Sequence, residues 1–295
     1  MVRKFLVTLL LTALLLTLAA SAEEGVVVED MYGRQVELAQ PATRVVALAA
    51  ADCEILCALG AEETLVGRGA YCDYPQSILE VTSVESGEGT NLEQIIALQP
   101  QLVIMSDMAQ TAEQVEALEE AGIAVALTDA NDIQGVYGAI EMIGALVARE
   151  DEAQALIEDM RATFEEISQQ AQETGKSVYF EVSPLEYGLW TAGANTFMDE
   201  LAAMCGLTNA FADVEGWAAI SEEQVLQRNP DYIVTITMYF GEGPSPVEEI
   251  LGRESWEEVA AVANGAIYNA DSNAISRPGP RLKDAAWELY RFISK

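Results

Sequence analysis

The stretch that decides the fold is EQIIALQPQLVI at residues 93–104, because it returns as EQVLQRNPDYIV at residues 223–234. In each copy an acidic residue opens a short helix, a proline ends it, and an apolar run typical of a buried strand follows. This period is too long for a solenoid and indicates two similar lobes, each with its own sheet. Chance similarity between two helix–proline–strand units is the alternative. If the lobes exist, the cleft between them is the default place for a binding site.

Apolar strand-like runs alternate with helical stretches through both halves of the chain. In the first half the runs at 45–48, 102–105 and 124–127 are each followed by a predicted helix. The second half repeats the alternation from residue 178 and ends with a predicted helix over 282–292. This order predicts an α/β fold with parallel sheets flanked by helices.

One longer helical pattern lies between the halves. The segment 145–174 contains no glycine or proline, and its apolar residues recur at helical spacing. We expect a continuous helix from about Glu150 to Glu173. The predicted organisation is two Rossmann-like α/β lobes bridged by a single long α-helix, with the ligand cleft between the lobes. The predicted boundaries are an N-terminal lobe at 23–148, an interlobe helix at 149–174 and a C-terminal lobe at 175–295.

The first residues have the pattern of an export signal. Arg3 and Lys4 give a positive start, residues 5–18 are apolar apart from threonines, and residues 20–22 offer a small-residue cleavage site. The apolar run is short for a membrane-spanning helix. We therefore expect a signal peptide at 1–22 and a soluble protein in the periplasm or cell envelope. The cleavage point has no cysteine for a lipid anchor.

Charge and composition exclude several classes of function. The chain has 48 acidic and 15 basic side chains, a formal net charge of −33. Such a surface repels nucleic acid and anionic lipid, so we expect no nucleic-acid partner. The chain contains no histidine. This excludes Ser-His and Cys-His nucleophile pairs and His-ligated metals on this chain, and we predict no metal site.

The four cysteines are Cys53, Cys57, Cys72 and Cys205. Export would permit disulfides, in three possible complete pairings. Cys53 and Cys57 lie four residues apart on a predicted helix and lack the CxxC spacing of many metal and redox sites. Burial as small apolar residues is the favoured interpretation.

Aromatic residues occur on loops of both halves. Tyr71, Trp190, Trp217 and Tyr239 are predicted to contact a ligand, because loops at the carboxyl ends of strands line the crevice of an α/β sheet. Flat rings give a large apolar contact area at little entropic cost, which suits a large or flat ligand. Ordinary packing is the alternative for each ring taken singly.

The segment RPGPR at 277–281 places two arginines on a proline-stiffened loop. Arg277 and Arg281 are candidate ligand-binding residues, because guanidinium groups can hold an anionic ligand bidentately. In the alternative, Pro278 and Pro280 cap the last helix and both arginines pair with carboxylates of the protein.

The chain resembles the exported solute-binding proteins of ABC importers for cobalamin and ferric chelates, over nearly the whole mature length. This resemblance implies two α/β lobes bridged by one helix. It is carried by residues 44–48 with Glu54, 71–75, 91–104, Trp217, 221–234 and 276–281.

The resemblance also implies roles for individual residues. One glutamate per lobe docks onto arginine pockets of the permease in that family, and the matching residues here are Glu93 and Glu223. In cobalamin binders the residues that match Tyr71 and Trp217 contact the corrinoid. Further cleft tryptophans of a cobalamin binder fall at Gly87 and near Ser106 here, so the full aromatic cage is not reproduced. The ligand therefore stays open between a corrinoid and a ferric siderophore or haem.

The function expected from the sequence is a non-catalytic binding component of an importer. It would carry a metal chelate, with a corrinoid favoured, to a permease dimer with its ATPase subunits. It would act as a monomer with no intrinsic cofactor. One alternative is an exported hydrolase that uses a carboxylate pair, for which Glu181 and Glu186 are the candidates. Another is an acidic adhesion module, which would bind no small molecule.

Overall fold

The computed structural model describes residues 25–87, 89–106 and 111–295. The predicted signal peptide at 1–22 lies outside the described residues. In the part of the chain that is described, no helix combines the length and apolar character needed to cross a membrane.

The N-terminal lobe is built on a five-stranded parallel sheet with the strand order β5-β4-β3-β6-β7, preceded by the antiparallel pair β1–β2. The central strands β3 and β6 are almost entirely buried, because helices cover both faces of the sheet. Its strands are β1 (Val26–Glu29), β2 (Gln35–Leu38), β3 (Val45–Ala47), β4 (Leu65–Gly69), β5 (Ser83–Val84), β6 (Leu102–Ser106) and β7 (Ala124–Thr128). Its helices are α1 (Ala50–Ala58), α2 (Leu92–Ala97), α3 (Ala112–Glu120) and α4 (Ile133–Leu146).

A bridging helix, α5 (Glu150–Gln170), leads into the C-terminal lobe. The sheet of this lobe has the order β11-β9-β8-β12-β13, and β10 pairs with β8. Strands β8, β12 and β13 are parallel, whereas β9 runs antiparallel to both of its neighbours. Its strands are β8 (Ser177–Ser183), β9 (Trp190–Ala192), β10 (Thr208–Asn209), β11 (Trp217–Ala219), β12 (Tyr232–Thr235) and β13 (Ile267–Asn269). Its helices are α6 (Phe197–Met204), α7 (Glu222–Arg228), α8 (Pro246–Leu251), α9 (Ala260–Ala263), α10 (Ser272–Ser276) and α11 (Leu282–Ile293).

The repeated sequence forms the same helix–strand unit in both lobes, α2–β6 and α7–β12. The side chains of Asn91 and Ser221 cap the two helices by accepting a hydrogen bond from the backbone three residues further on. Each unit then turns through a left-handed residue before its proline, at Gln99 (φ 50°) and Asn229 (φ 47°). Both strands lie inside their sheets with neighbours on each side. The prediction of two similar α/β lobes is confirmed.

The bridging helix begins at the predicted residue and ends three residues before the predicted end, because Ala171 is extended. Ala148, at φ 54°, separates α5 from α4. The two helices then pack closely, since a β-carbon at Gly144 would lie 2.7 Å from that of Ala153. The lack of a side chain at Gly144 permits this close packing of α4 against α5.

The largest hydrophobic cluster is continuous through both lobes. The apolar face of α5, including Ile157 and Met160, contacts α4 of the first lobe and α6 and α11 of the second. Buried Leu201 and Leu289 belong to the same cluster. The two lobes therefore share one hydrophobic core where they meet α5. Full burial of each such side chain contributes about 1.5–3 kcal/mol to the stability of this core. The helix is thus one part of a packed joint between the lobes.

Candidate ligand-binding cleft

The carboxyl ends of the parallel strands of both lobes lead into loops that meet between the lobes. A cavity of about 200 Å³ lies there, walled by residues that follow β3, β6 and β7 and by residues 276–278 of the C-terminal lobe. We refer to this space as the floor cavity. The crevice at the carboxyl ends of such sheets is the usual ligand position in open α/β folds.

A second cavity, of about 720 Å³, lies on the C-terminal side of the cleft. It is formed by the loops after β8 and β12, and we call it the C-lobe cavity. Its wall carries Tyr187, Met238, Tyr239 and Phe240. Phe240 is 86% exposed and Tyr187 76% exposed. Several large apolar side chains left in solvent beside one cavity mark a binding surface.

The N-terminal lobe contributes an aromatic loop after β4. Tyr71 on this loop is 78% exposed, whereas Tyr74 lies beneath the guanidinium of Arg281, whose centre is 4.2 Å from the ring centroid. The Tyr71 carbonyl accepts a hydrogen bond from Nη2 of Arg277 at 3.2 Å. A C-terminal loop therefore fixes the backbone that presents Tyr71.

Arg277 and Arg281 bind carboxylates of the opposite lobe. Glu54 on α1 is buried and accepts hydrogen bonds from Arg277 Nη1 at 2.8 Å and from Arg281 Nε and Nη2 at 2.8 and 2.7 Å. Arg277 also donates to Asp73 at 2.6 Å, and Asn273 donates to the same carboxylate at 3.2 Å. Partial burial acts to raise the pKa of Asp73, but the hydrogen bond and the charge of Arg277 outweigh it and lower the pKa. We call Glu54, Asp73, Arg277 and Arg281 the interlobe ion cluster.

Two backbone amides form a further contact between the lobes, next to Asn131 of the floor cavity. The Phe197 N–H donates to the Asn131 carbonyl at 2.8 Å, and the Ile133 N–H donates to the Glu200 carboxylate at 2.6 Å. Asn131 and Arg277, which both line the floor cavity, thus take part in hydrogen bonds between the lobes.

Asp52 lies on α1 and lines the floor cavity with 1% of its surface exposed. Its carboxylate oxygen is 3.3 Å from the Thr128 hydroxyl, and no described cation contacts it. Burial raises the pKa of Asp52 to about 7, and the hydrogen bond of Thr128 opposes that shift. A group that ionises near neutrality inside a cleft is a candidate functional residue.

The structure distributes the predicted ligand residues over several places. Tyr239 lines the C-lobe cavity, and Arg277 lines the floor cavity. Trp190 is partly exposed where β9 begins, opposite Ser183 at the carboxyl end of β8. Trp217 is half-buried and packs on Phe197, with ring centroids 5.2 Å apart. The ligand-contacting roles of these residues, and of Tyr71 and Arg281, stay predictions.

Asp52 and Tyr187 are among the cleft residues that were not sequence candidates. The segment 184–188 follows the carboxyl end of β8 directly and ends in a glycine. That position could have singled out Tyr187 by the rule applied to the other aromatics. Asp52 had no such signal, because its burial depends on residues more than seventy positions away.

The carboxylate pair required by the hydrolase alternative does not form. Glu181 is buried and accepts hydrogen bonds from Arg253 Nη1 at 2.7 Å and Nη2 at 3.0 Å. Glu186 lines the C-lobe cavity instead. A carboxylate held in a buried ion pair is not free to act as nucleophile or base, so this alternative is wrong.

The cysteines are free thiols, as the packing interpretation requires. Cys53, Cys72 and Cys205 are buried, and Cys57 is partly buried. Burial raises the pKa of Cys57 and of Cys205 to about 12, which keeps both thiols protonated. Thiols in this state are poor nucleophiles and poor metal ligands.

Glu93 and Glu223 are exposed in the first turns of α2 and α7. Both helices precede a strand that has a parallel neighbour on each side, so each helix begins near the carboxyl ends of those strands, on the side of the cleft. The Ser221 hydroxyl and a backbone N–H donate to Glu223 and lower its pKa.

Known proteins share this architecture and much of the sequence. The sequence model of periplasmic binding proteins matches residues 45–274. An uncharacterized ABC transporter substrate-binding lipoprotein of Bacillus subtilis, YvrC, is 33% identical over 91% of this chain and 85% of its own length. The crystal structure of the vitamin B12-binding protein BtuF of Vibrio cholerae is 26% identical, with a TM-score of 0.72 over 86% of this chain and 97% of that one. The haem-binding protein HutB of Vibrio cholerae, at 21% identity, has the same fold with a TM-score of 0.78 over 86% of this chain and 99% of its own.

The match to the family covers most of the chain and both lobes, and the relatives align over nearly their whole lengths. The matched residues include Asp52, Glu54, Asp73 and the aromatic loops of the cleft, whereas Arg277 and Arg281 lie just beyond them. Members of this family are solute-binding proteins rather than enzymes. The chain belongs to the periplasmic binding protein family.

Proposed function

We propose that this protein is the substrate-binding component of an ABC importer and acts outside the cytoplasm. It captures a metal chelate in the interlobe cleft and delivers it to a permease dimer with its ATPase subunits. The observation that carries the proposal is a cleft between two α/β lobes whose loops expose large aromatic side chains from both sides. The family and the relative named as an ABC transporter substrate-binding lipoprotein support it.

The ligand we favour is a corrinoid, and haem or a ferric siderophore is the alternative. Tyr71 from one lobe and Tyr187, Tyr239 and Phe240 from the other offer apolar faces to a broad, flat ring. Trp190 and Trp217 extend this aromatic set in our proposal. The similarity of this chain to a vitamin B12-binding protein supports a corrinoid as the ligand. The similarity to the haem-binding protein is one of fold alone.

The charge of the cleft favours a neutral or weakly charged chelate. Among the described residues that line the two cavities, Arg277 is the one cation, and its guanidinium already pairs with Glu54 and Asp73. Arg281 is likewise held by Glu54. A strongly anionic ferric complex would have to displace these carboxylates or enter without a counter-charge, and both are unfavourable.

Incubation with candidate ligands, followed by gel filtration and an absorbance spectrum of the protein peak, tests the function. The panel is cyanocobalamin, dicyanocobinamide, haemin and a ferric hydroxamate. Co-elution of either corrinoid at one equivalent supports the proposal. Co-elution of haemin or the hydroxamate alone would transfer the assignment to the iron-chelate alternative. Failure of the whole panel would overturn capture of a metal chelate.

We also propose that Glu93 and Glu223 dock onto the permease, one from each lobe. Their exposure at the start of equivalent helices, where the helix dipole favours a carboxylate, supports this role. Replacing both by alanine should leave ligand affinity unchanged and abolish ligand-stimulated transport in vesicles that contain the permease. Glu165→Ala with Glu166→Ala, which removes two exposed carboxylates from α5, is the matched control. Unimpaired uptake by the docking variant would remove the assignment.

A further inference from the structure

The floor cavity contains a buried carboxylate with one weak partner. Thr128 Oγ1 lies 3.3 Å from Asp52 Oδ2 and 3.4 Å from the Met105 carbonyl. A hydroxyl has one proton, so it can donate to one of these two acceptors at a time. Buried carboxylates usually have a cation or several strong donors. Asp52 has neither among the described residues, so its hydrogen-bonding capacity is largely unused.

The charges around Asp52 do not neutralise it. Within the described part of the chain, the charged residues that line the floor cavity are Asp52 itself, Asp129 after β7 and Arg277 from the C-terminal lobe. Arg277 is directed to Glu54, Asp73 and the Tyr71 carbonyl. β6 and α4 contribute Ser106 and Ala139, which carry no charge. The described lining is therefore mostly apolar, with a negative bias from Asp52 and Asp129.

The dimensions of the cavity fit a substituent. Its volume of about 200 Å³ lies below the roughly 300–1,000 Å³ of a pocket that encloses a whole drug-sized ligand. Among the described residues, its wall is made largely of alanines, at positions 49–51, 130 and 139, which leave room for a small group. A flat chelate in the cleft above could extend one rim group into this space.

We propose that Asp52 is a specificity-determining residue that accepts a hydrogen bond from an uncharged N–H donor, such as a primary carboxamide, on the rim of the bound chelate. The inference rests on the proposed function and deepens it. A carboxamide N–H supplies the donor that Asp52 lacks. A carboxylate at the same place would put two anionic groups side by side in a buried site, where both cannot remain ionised without a large cost. The site thus selects amide-bearing corrinoids over chelates whose rims carry carboxylates.

The raised pKa of Asp52, about 7, agrees with this geometry. A group whose pKa lies near 7 is partly protonated in the empty protein at pH 7. A bound N–H donor favours the ionised form, so ligand binding at pH 7 should release a fraction of a proton per ligand. This release is a direct readout of Asp52 that does not depend on transport.

Calorimetric titration tests the proposal with two corrinoids that differ in their rims. The probes are dicyanocobinamide, whose rim carries amides, and its hydrolysed analogue, whose rim carries carboxylates. At pH 8 the protein should bind the amide form more tightly. Asp52→Asn should reduce that preference by about tenfold or more, as expected for one hydrogen bond to a charged group. Proton release, measured at pH 7 in two buffers of different ionisation enthalpy, should be present in the wild type and disappear in the variant.

Asp151→Asn is the matched control, because it removes the same charge from the exposed face of α5. It should keep the preference and the proton release of the wild type. Thermal melting of each variant confirms that it is folded. An unchanged preference and unchanged proton release in Asp52→Asn would overturn the inference while leaving corrinoid capture intact. Absence of binding of both corrinoids to the wild type would overturn the proposed function and this inference with it.

Discussion

Asp52 and Glu54 are two buried carboxylates two residues apart on α1, and their surroundings differ. Glu54 accepts three hydrogen bonds from Arg277 and Arg281 of the other lobe, whereas Asp52 contacts the Thr128 hydroxyl. Successive helix residues turn by about 100°, so positions two apart face nearly opposite directions. One short helix thus uses one carboxylate to join the lobes and directs the other into the floor cavity.

This difference separates a structural charge from one available to a ligand. A buried carboxylate that is paired with cations stabilises the fold only while those cations remain in place. Removing the carboxylate leaves the cations buried without a counter-charge. A buried carboxylate without a cation costs stability in the empty protein and can recover that cost when a ligand supplies a donor. The two residues therefore predict opposite effects of substitution.

Loss of Glu54 should cause the largest loss of stability. Glu54→Ala leaves Arg277 and Arg281 partly buried without their shared partner, and we expect a loss of about 3 kcal/mol in the free energy of unfolding. The melting temperature should fall by roughly 6–12 °C. Glu63→Ala, which removes the carboxylate of an exposed pair with Arg149, is the control and should cost at most about 1 kcal/mol. Equal melting temperatures for the two variants would contradict a structural role of the interlobe ion cluster.

Substitution of Asp52 should instead stabilise the empty protein at alkaline pH. The folded-state pKa of Asp52, about 7, lies above the ordinary value of 3.8, so the folded protein holds this proton more tightly than the unfolded chain does. The stabilisation by the bound proton is fully present below about pH 4 and is lost as the pH rises through 7. At pH 8, Asp52→Asn should gain on the order of 2–4 kcal/mol. The gain should shrink steadily toward pH 4. Urea unfolding at several pH values measures it, and a constant difference would be inconsistent with a titrating Asp52.

Two aromatic residues allow a similar comparison, between an exposed ring that would contact the ligand and a ring that packs inside the protein. Tyr71→Ala removes an exposed ring, so it should weaken ligand binding by about 1–2 kcal/mol with little change in melting temperature. Trp217→Ala removes a half-buried ring that packs on Phe197, and it should weaken binding by roughly 1–3 kcal/mol and lower stability as well. If Tyr71→Ala binds as the wild type does, the N-terminal aromatic loop is not a ligand contact.

The smallest expected effect is on the shape of the protein. The helix α5, the shared core and the interlobe ion cluster all resist rotation of one lobe against the other. Small-angle scattering should therefore give nearly the same radius of gyration with and without ligand. Glu54→Ala should widen the difference. A large closure of the wild type would show that the joint between the lobes is a hinge.

The fold was predictable because its signals are local. The repeated helix–proline–strand unit indicated two lobes, and the uninterrupted apolar spacing after residue 150 indicated α5. The early end of α5 was not predictable, because no glycine or proline marks Ala171. The corner at Ala148 likewise depends on the contact between Gly144 and Ala153, which is tertiary packing.

The site was less predictable from the sequence, because it depends on contacts between residues that lie far apart in the chain. The loop RPGPR attracted notice for its arginines, but their partner Glu54 lies more than two hundred residues earlier. The sequence left a ligand-binding role and carboxylate pairing as equal alternatives. Composition could not show that Asp52 lies in a cavity while Glu54 lies in an ion cluster, since both are acidic residues of one helix. Trp217 was predicted as a ligand contact from its loop, whereas its packing on Phe197 needed the structure.

Isothermal titration of the purified protein with dicyanocobinamide at pH 8 tests the central claim most directly, because it measures capture of an amide-rimmed, flat chelate by the cleft. We predict one site with a submicromolar dissociation constant, which corresponds to a binding free energy of at least about 8 kcal/mol in magnitude. Haemin, whose rim carries carboxylates, should bind more weakly under the same conditions. No heat with the corrinoid, together with tight binding of haemin, would contradict the account.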